Sequence, residues 1–348
     1  MLFRNNKIPY FGLDISDLSL KLVGIKKRKN TNELINFNQA IVPPGYFDNG
    51  KILKHQEIAQ LITELIHGTQ GPKIKTKFVH ACLPEKHAFV KLITIPNMSE
   101  AEIPSAVEWA VEHHLPFALD EIYLDWQKIG THPNGKDLHV VIGAAPKEIV
   151  DDYTKLLKLA KLTPLSLEIE AVSIARAIIN EQEVLTEAVG IIDLGATRSS
   201  LIIYAHNSVQ FSMTLPISGE KITETISTTL ALSPQQAENA KIICGLDPKK
   251  CKGGIKTILE KELNDLAIRI QTSLLYYKEN FDDNLPVTSL ILCGGGAHMA
   301  QLNELLTEKT GVPVQMNNIL KNLKVSHKIK LPTDTFLSAI TAIGLALK

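Results

Sequence analysis

Hydrophobic and polar positions change their period several times along the chain, and each change marks an element. Apolar or β-branched runs at residues 10–15, 19–25 and 34–42, parted by polar turns, predict three adjacent antiparallel strands. After Pro43, Pro44 and Gly45, residues Ile58, Leu61, Ile62, Leu65 and Ile66 recur at helical spacing, the stripe of a helix that packs on a sheet and stops at Gly68. Residues 77–83 and 88–95 predict two more strands around Pro84.

From Pro96 the texture differs. Ser99 and Glu102 have the spacing of a capping box ahead of Ile103, Ala106, Val107, Ala110 and His114. Strands at 122–129 and 138–144 follow, then a helix opening at Pro146 with Ile149, Tyr153, Leu156, Leu157 and Ala160 on one face. Residues 97–162 therefore read as a compact α/β insertion. Past Pro164 the opening pattern returns, with strands at 189–194, 200–205 and 208–215 before a turn at Gly219. Helices are predicted at 221–230, 234–243 and, as one long element, 254–281. A buried strand at 287–293, a glycine-rich turn, a helix over 299–310, a short segment at 312–315 and a last helix over 336–347 complete the chain.

At 348 residues the chain exceeds the size at which one core keeps growing, so two or more domains are expected. Lys plus Arg and Asp plus Glu are equal at 37 each, which removes a global field for nucleic acid or anionic lipid. The basic run Lys26, Lys27, Arg28, Lys29 falls between two strands and reads as a solvated turn. Cys82, Cys244, Cys251 and Cys293 show no metal-ligand spacing; Cys82 and Cys293 lie in apolar strands, and a reducing compartment fits. No window holds the roughly 18 apolar residues of a membrane helix, and the first residues carry no signal-peptide core. The expectation is a cytoplasmic protein that meets the inner membrane only through a partner, with no direct insertion.

Two strand pairs bend around an acidic residue followed by small or hydroxylic ones, about 180 residues apart. The first is Gly12, Leu13, Asp14, Ile15, Ser16, Asp17, Leu18, Ser19; the second is Asp193, Leu194, Gly195, Ala196, Thr197, Arg198, Ser199. Such turns aim backbone amides and hydroxyls at phosphates, while Asp14 and Asp193 can hold Mg²⁺ through waters. Taken singly, each is also ordinary turn chemistry. A third element runs from a buried strand through Gly294, Gly295 and Gly296 to Met299, where glycines permit close approach of a ligand or simply make a tight turn. In a fourth, Glu238 and Lys241 stand on one helical face, able to embrace a ribose and base or to form a surface ion pair.

In this order the four elements resemble the actin-like ATPase superfamily: two phosphate loops, the Glu/Lys helix and the adenosine glycines. Lys21 falls where that superfamily keeps a phosphate-contacting lysine. Within it, the placement of the insertion is similar to the FtsA and PilM group. The stretches Glu108-Trp109-Ala110, Leu115-Pro116-Phe117, Leu124-Asp125-Trp126-Gln127, Gly143-Ala144-Ala145-Pro146-Lys147 and Ala342-Ile343-Gly344-Leu345-Ala346-Leu347 resemble the PilM family of type IV pilus assembly. The resemblance implies an α/β, duplicated actin-like (ribonuclease H-like) two-lobed fold with a small inserted α/β subdomain. Its implied parts are 1–96 with 163–187, the insertion 97–162, 188–216 with 284–348, and a helical part 217–283 over the cleft. It implies ATP and Mg²⁺ as cofactors, bound by Asp14, Ser16, Asp17, Ser19, Lys21, Asp193, Gly195, Ala196, Thr197, Gly219, Glu238, Lys241, Gly294, Gly295, Gly296 and Met299.

It also implies a scaffold that binds the cytoplasmic N-terminal segment of a PilN-like inner-membrane protein near Trp109, Leu115 and Phe117, with other pilus assembly proteins and further copies of itself as additional partners. The rival readings are an FtsA-like division or cytoskeletal filament protein and a kinase of the same superfamily. Glu168 or Glu170, at the crossover into the helix that follows, is the acidic position expected to orient an attacking water. Ser16 and Asp17 stand where the family usually carries a glycine and small hydroxyl residues. A carboxylate about 4 Å from a phosphate oxygen costs about 4 kcal/mol at an effective dielectric near 20. Nucleotide binding is therefore expected to be weakened or strongly Mg²⁺-dependent, with slow or absent hydrolysis. Gly219 and Glu220 likewise stand for paired glycines.

Overall fold

The computed structural model describes residues 8–28, 31–112, 118–132, 134–179, 185–281, 285–318 and 323–348. The chain opens with β1 (Phe11–Ile15), β2 (Ser19–Lys27) and β3 (Asn32–Ile41), antiparallel neighbours as their alternation predicts. A small hairpin of β4 (Phe47–Asp48) and β5 (Lys51–Ile52) leads to α1 (His55–His67), whose Ile58, Ile62 and Leu65 are buried. Each such aliphatic side chain contributes roughly 1.5–3 kcal/mol by leaving water. There follow β6 (Phe78–Leu83), β7 (Phe89–Pro96), α2 (Ile103–Glu112), β8 (Ile122–Thr131), β9 (Asp137–Pro146), α3 (Lys147–Leu159), β10 (Thr163–Ile169) and α4 (Glu170–Ile178).

The second half begins again with β11 (Ala188–Leu194), β12 (Ser199–Ala205) and β13 (Ser208–Leu215), then α5 (Gly219–Leu230) and α6 (Pro234–Cys244). Helix α6 starts where its sequence says it should. Ser233 accepts from Gln236 N, Gln236 Oε1 accepts from Ser233 N, and Pro234 occupies the first helical position. The long helix expected over 254–281 is two, α7 (Gly254–Ile258) and α8 (Glu260–Asn280), because Leu259 leaves helical geometry with ψ 3°. The remaining elements are β14 (Val287–Cys293), α9 (Leu302–Thr310), β15 (Val314–Met316), β16 (Leu323–Val325), α10 (Thr333–Ser338) and α11 (Ile340–Leu347). The helix expected from Met299 begins only at Leu302, since residues Gly295–His298 form a 3-10 turn and Gln301 takes φ +63°.

The two sheets repeat one order. The first runs β10-β6-β1-β2-β3 and the second β15-β14-β11-β12-β13, each with an antiparallel triplet flanked by parallel strands. Strand β10 escaped the sequence reading because Pro164 sits at its start, where the register with β6 shifts.

Three placements differ from the expected parts. Strand β7, expected in the first lobe, pairs along its whole length with β9 and touches β13 at Phe211 and Lys91. The insertion's strands thereby continue the second sheet, giving the order β13-β7-β9-β8. Conversely, α3 belongs to the first lobe, where Ile149, Tyr153, Leu156 and Leu157 join the core built by Phe11, Ile58 and Val79. The chain's last segment also returns to the first lobe: β16 pairs with β3, and α11 packs on α4 and β1. That packing depends on a close approach, because a Cβ at Gly344 would stand 1.8 Å from Ser173 O. The insertion keeps a core of its own, with Ile103, Val107 and Val111 of α2 against Ile93, Val140 and Ile142.

Candidate functional site

The repeat brings the two aspartate hairpins face to face. In the first, Asp14 pairs across the strands with Lys21, and Lys21 Nζ lies 3.3 Å from Asp14 Oδ2 and 2.8 Å from Ser19 Oγ. Ser16 closes the turn by donating both its N–H (3.0 Å) and its hydroxyl (2.9 Å) to Ser19 O. The remaining Asp14 oxygen accepts the Cys82 thiol at 3.5 Å from the neighbouring strand β6. In the second hairpin Asp193 stands opposite Ser200, and its Oδ1 accepts the Cys293 thiol at 3.6 Å from β14. Burial pushes both thiols well up, so each stays a donor.

The next residue after Cys293 explains one glycine. Gly294 takes φ +82°, and a Cβ there would meet Asp193 Oδ1 at 2.4 Å and Leu194 O at 2.6 Å. Only a glycine lets the strand turn while the carboxylate keeps its place.

A cavity of about 510 Å³ separates the hairpins, lined among others by Asp14, Lys21, Glu85, Glu170, Asp193 and Arg198. Four carboxyl groups, of which Asp14 and Glu85 are buried and Glu170 and Asp193 half-buried, with two cations make this an acidic, cation-seeking end. Burial raises Asp193 to about 6, against the lowering hydrogen bond from Cys293 and reinforced by the charge of Asp14. Burial, then Asp14, Asp193 and Glu85, hold Glu170 well above the usual carboxylate range, and Thr341 Oγ1 donates to it at 3.3 Å. Glu85 is raised by burial although Ser212 and the Ala171 N–H both donate to it.

A wider cavity of about 890 Å³ adjoins the first and shares Leu18, Gly195, Ala196 and Gly295 with it. Its walls include Gly219, Glu238, Lys241, Gly296 and Met299. Glu238 and Lys241 form an ion pair at 2.6 Å, and Lys241 also donates to Thr223 Oγ1 at 2.9 Å and Gly219 O at 3.1 Å. The α5 N-terminus is seated on the second hairpin: Gly219 N donates to Gly195 O at 3.0 Å and Glu220 N to Ala196 O at 2.8 Å. Thr197 lies in the wall of the acidic end.

Two expected site residues stand elsewhere. Glu168 is away from the cavity, held at 2.8 Å by Arg176 and paired with Lys348; these cations outweigh its burial and keep it below the usual range. Only Glu170 of the two crossover acids reaches the cleft. Asp17 is turned out of the cavity: Oδ1 accepts Gly50 N at 3.1 Å, and Oδ2 faces Arg198 Nη1 at 3.6 Å. The repulsion expected from its carboxylate is thus met by a cation of the other hairpin.

Trp109 is exposed on α2 at 68%, opposite that helix's buried face, whereas Leu115 and Phe117 lie outside the described residues. Sequence reasoning missed Arg198 and Glu85 as wall residues. The signal for Arg198 was a full charge in an otherwise small, hydroxylic turn; for Glu85, an acid directly after the strand-ending Pro84. It also left Cys244 and Cys251 apart, and the structure joins them in a disulfide at the end of α6. Among the described residues, no group of three or more His, Cys, Asp or Glu closes around a metal position.

The sequence profile of the family described as type IV pilus assembly protein PilM matches residues 12–348. A solved structure of a PilM–PilN type IV pilus biogenesis complex superposes with TM-score 0.82 at 24% identity, covering 98% of each chain. MreB5 of Spiroplasma citri bound to ADP superposes with TM-score 0.55 at 13% identity, over 97% of this chain and 95% of that one. Cell division protein FtsA of Pseudomonas aeruginosa is 23% identical over 178 residues, 45% of this chain and 40% of that protein, so the match spans less than half of that relative. The fold is the duplicated actin-like one expected from the sequence.

Proposed function

This chain belongs to the type IV pilus assembly protein PilM family, and on that footing we propose that it is an ATP-binding scaffold that docks the cytoplasmic N-terminal segment of a PilN-like inner-membrane protein. The observation that carries the nucleotide part is the pair of aspartate hairpins facing one cavity that widens toward Glu238 and Lys241. The wider part has the size for a nucleoside, with the Glu238 and Lys241 pair at its sugar edge and Gly295, Gly296 and Met299 along the base. The acidic end would receive the phosphates, with Lys21 and the turns of Ser16, Ser19, Gly195, Ala196 and Thr197 as donors. MreB5, of the same fold, was solved with ADP.

Mg²⁺ fits the excess of carboxyl groups over cations in the cavity wall, and Asp14 and Asp193 are the residues to hold it, with water completing its shell. When bound, the ion would neutralise phosphate charge. Glu170, which burial and then three neighbouring carboxylates raise well above the usual carboxylate range, is the acid placed to orient a water, and Ser16 and Asp17 in the first turn favour slow or absent hydrolysis. Nucleotide then acts by favouring the closed arrangement of the lobes, and the output is assembly.

For the partner, the support is the solved PilM–PilN complex of the same fold and the exposed Trp109 on the inserted unit. No helix of the described residues is long and apolar enough to cross a membrane. On this reading the PilN-like partner carries the protein to the membrane. The test is a fluorescence titration of a labelled PilN N-terminal peptide into the protein with ATP and Mg²⁺. Saturable binding that Trp109→Ala weakens about tenfold or more is expected; no saturation, or an unchanged affinity in the variant, contradicts the docking site.

A further inference from the structure

Asp17 and Arg198 belong to different lobes and meet across the cleft, one in the turn after β1 and the other in the turn before β12. At 3.6 Å their approach is an ion pair without a hydrogen bond. Arg198 Nη1 is buried and has no hydrogen-bond partner among the described residues, although a guanidinium N–H shut away from water needs one. Asp17 has less need of the pair, because its other oxygen already accepts Gly50 N.

Arg198 lines only the acidic cavity, whereas Glu238 and Lys241 line only the wider one; the junction is made by Leu18, Gly195, Ala196 and Gly295. A nucleotide with its nucleoside in the wider part thus extends through the junction, and the phosphate farthest from the sugar comes nearest to Arg198. A phosphate dianion offers the planar guanidinium two parallel acceptors, which a single carboxylate oxygen at 3.6 Å does not.

We propose that the Asp17 and Arg198 pair is a latch that reads the third phosphate of the nucleotide. A triphosphate takes Arg198 from Asp17, and a diphosphate leaves the pair closed. The inference deepens the nucleotide reading above and rests on it. The competition also turns Asp17 from a repulsive neighbour into a gate: it holds the guanidinium in place and sets how strongly a ligand must bind to win it.

The test is calorimetric titration of ATP and of ADP, each with Mg²⁺, into the wild type, Arg198→Gln, Asp17→Asn and the double variant. Arg198→Gln is expected to weaken ATP about tenfold or more and to leave ADP within about twofold. Asp17→Asn is expected to tighten ATP, and the gain disappears in the double variant. Equal weakening of ATP and ADP by Arg198→Gln, or weaker ATP binding in Asp17→Asn, overturns the latch. ADP binding reports that the arginine variant is folded; if it is not, Asp17→Asn alone decides. A wild type that binds neither nucleotide sinks the nucleotide reading and the latch together, whereas tight wild-type binding with an unchanged ATP-to-ADP ratio in the variants sinks only the latch.

Discussion

Asp14 and Asp193 end equivalent strands of the repeated sheet, and each accepts a thiol from the next parallel strand, but the residue facing them across the hairpin differs. Asp14 looks at Lys21 and Asp193 at Ser200. In the first lobe the carboxylate carries its cation with it, at 3.3 Å. In the second, burial outweighs the lowering effects of the Cys293 hydrogen bond and of the more distant Lys21 and raises Asp193 to about 6. The two repeats share a backbone arrangement but carry different cross-strand partners at their aspartates. The first lobe carries a cross-strand cation at its aspartate, and the second lobe does not. On the proposed function, Mg²⁺ carried in with nucleotide would supply a cation to the second lobe.

The sharpest way to break the comparison is Lys21→Met, which leaves Asp14 buried without its cation. Removing one partner of a buried pair costs about 3 kcal/mol, read by urea unfolding without nucleotide. An effect below ~1 kcal/mol, as for an exposed pair, would mean that Lys21 does not hold Asp14 as a buried partner.

Asp193→Asn should go the other way. The folded-state value of about 6 lies above the ordinary 3.8. Asp193 therefore favours the fold below its ordinary value, and this contribution is lost as pH rises through about 6. Asparagine mimics the protonated form. The variant should exceed the wild type in stability above pH 6 by up to about 3 kcal/mol and converge with it toward pH 4. Asp14→Asn should instead destabilise, because it strands Lys21. A loss of stability at pH 7 in Asp193→Asn as large as that in Asp14→Asn would erase the difference between the lobes.

The smallest effect is expected from the shared thiols. Cys82→Ala and Cys293→Ala should each cost roughly 1 kcal/mol. Only the second should move the pH midpoint upward, since the Cys293 bond lowers Asp193. A pH midpoint shift of equal size in Cys82→Ala would contradict the assignment of that midpoint to Asp193 and its Cys293 bond.

Much of this geometry was legible from the chain because it is local. The strand triplets, the helix of Ile58 and Leu65, and the two aspartate hairpins are set by spacing and turn chemistry within a few residues. What the chain withholds depends on distance through space. Nothing in the sequence puts Arg198 beside Asp17, because their meeting needs both lobes in place. Glu168 and Glu170 look equivalent as neighbours, yet β10 ends at Ile169 and the first turn of α4 carries Glu170 to the cleft while Glu168 stays with Arg176. Strand β7 reads like any strand of the first lobe; its allegiance is decided by eight cross-strand pairs with β9.

Thermal unfolding with ATP and Mg²⁺ tests the central claim most directly, because a ligand at 100 times its dissociation constant adds about 2.7 kcal/mol of stability. The account predicts a clear upward shift that falls when Mg²⁺ is chelated and vanishes in Asp193→Ala. No shift at saturating ATP, or a shift that survives in Asp193→Ala, would contradict it.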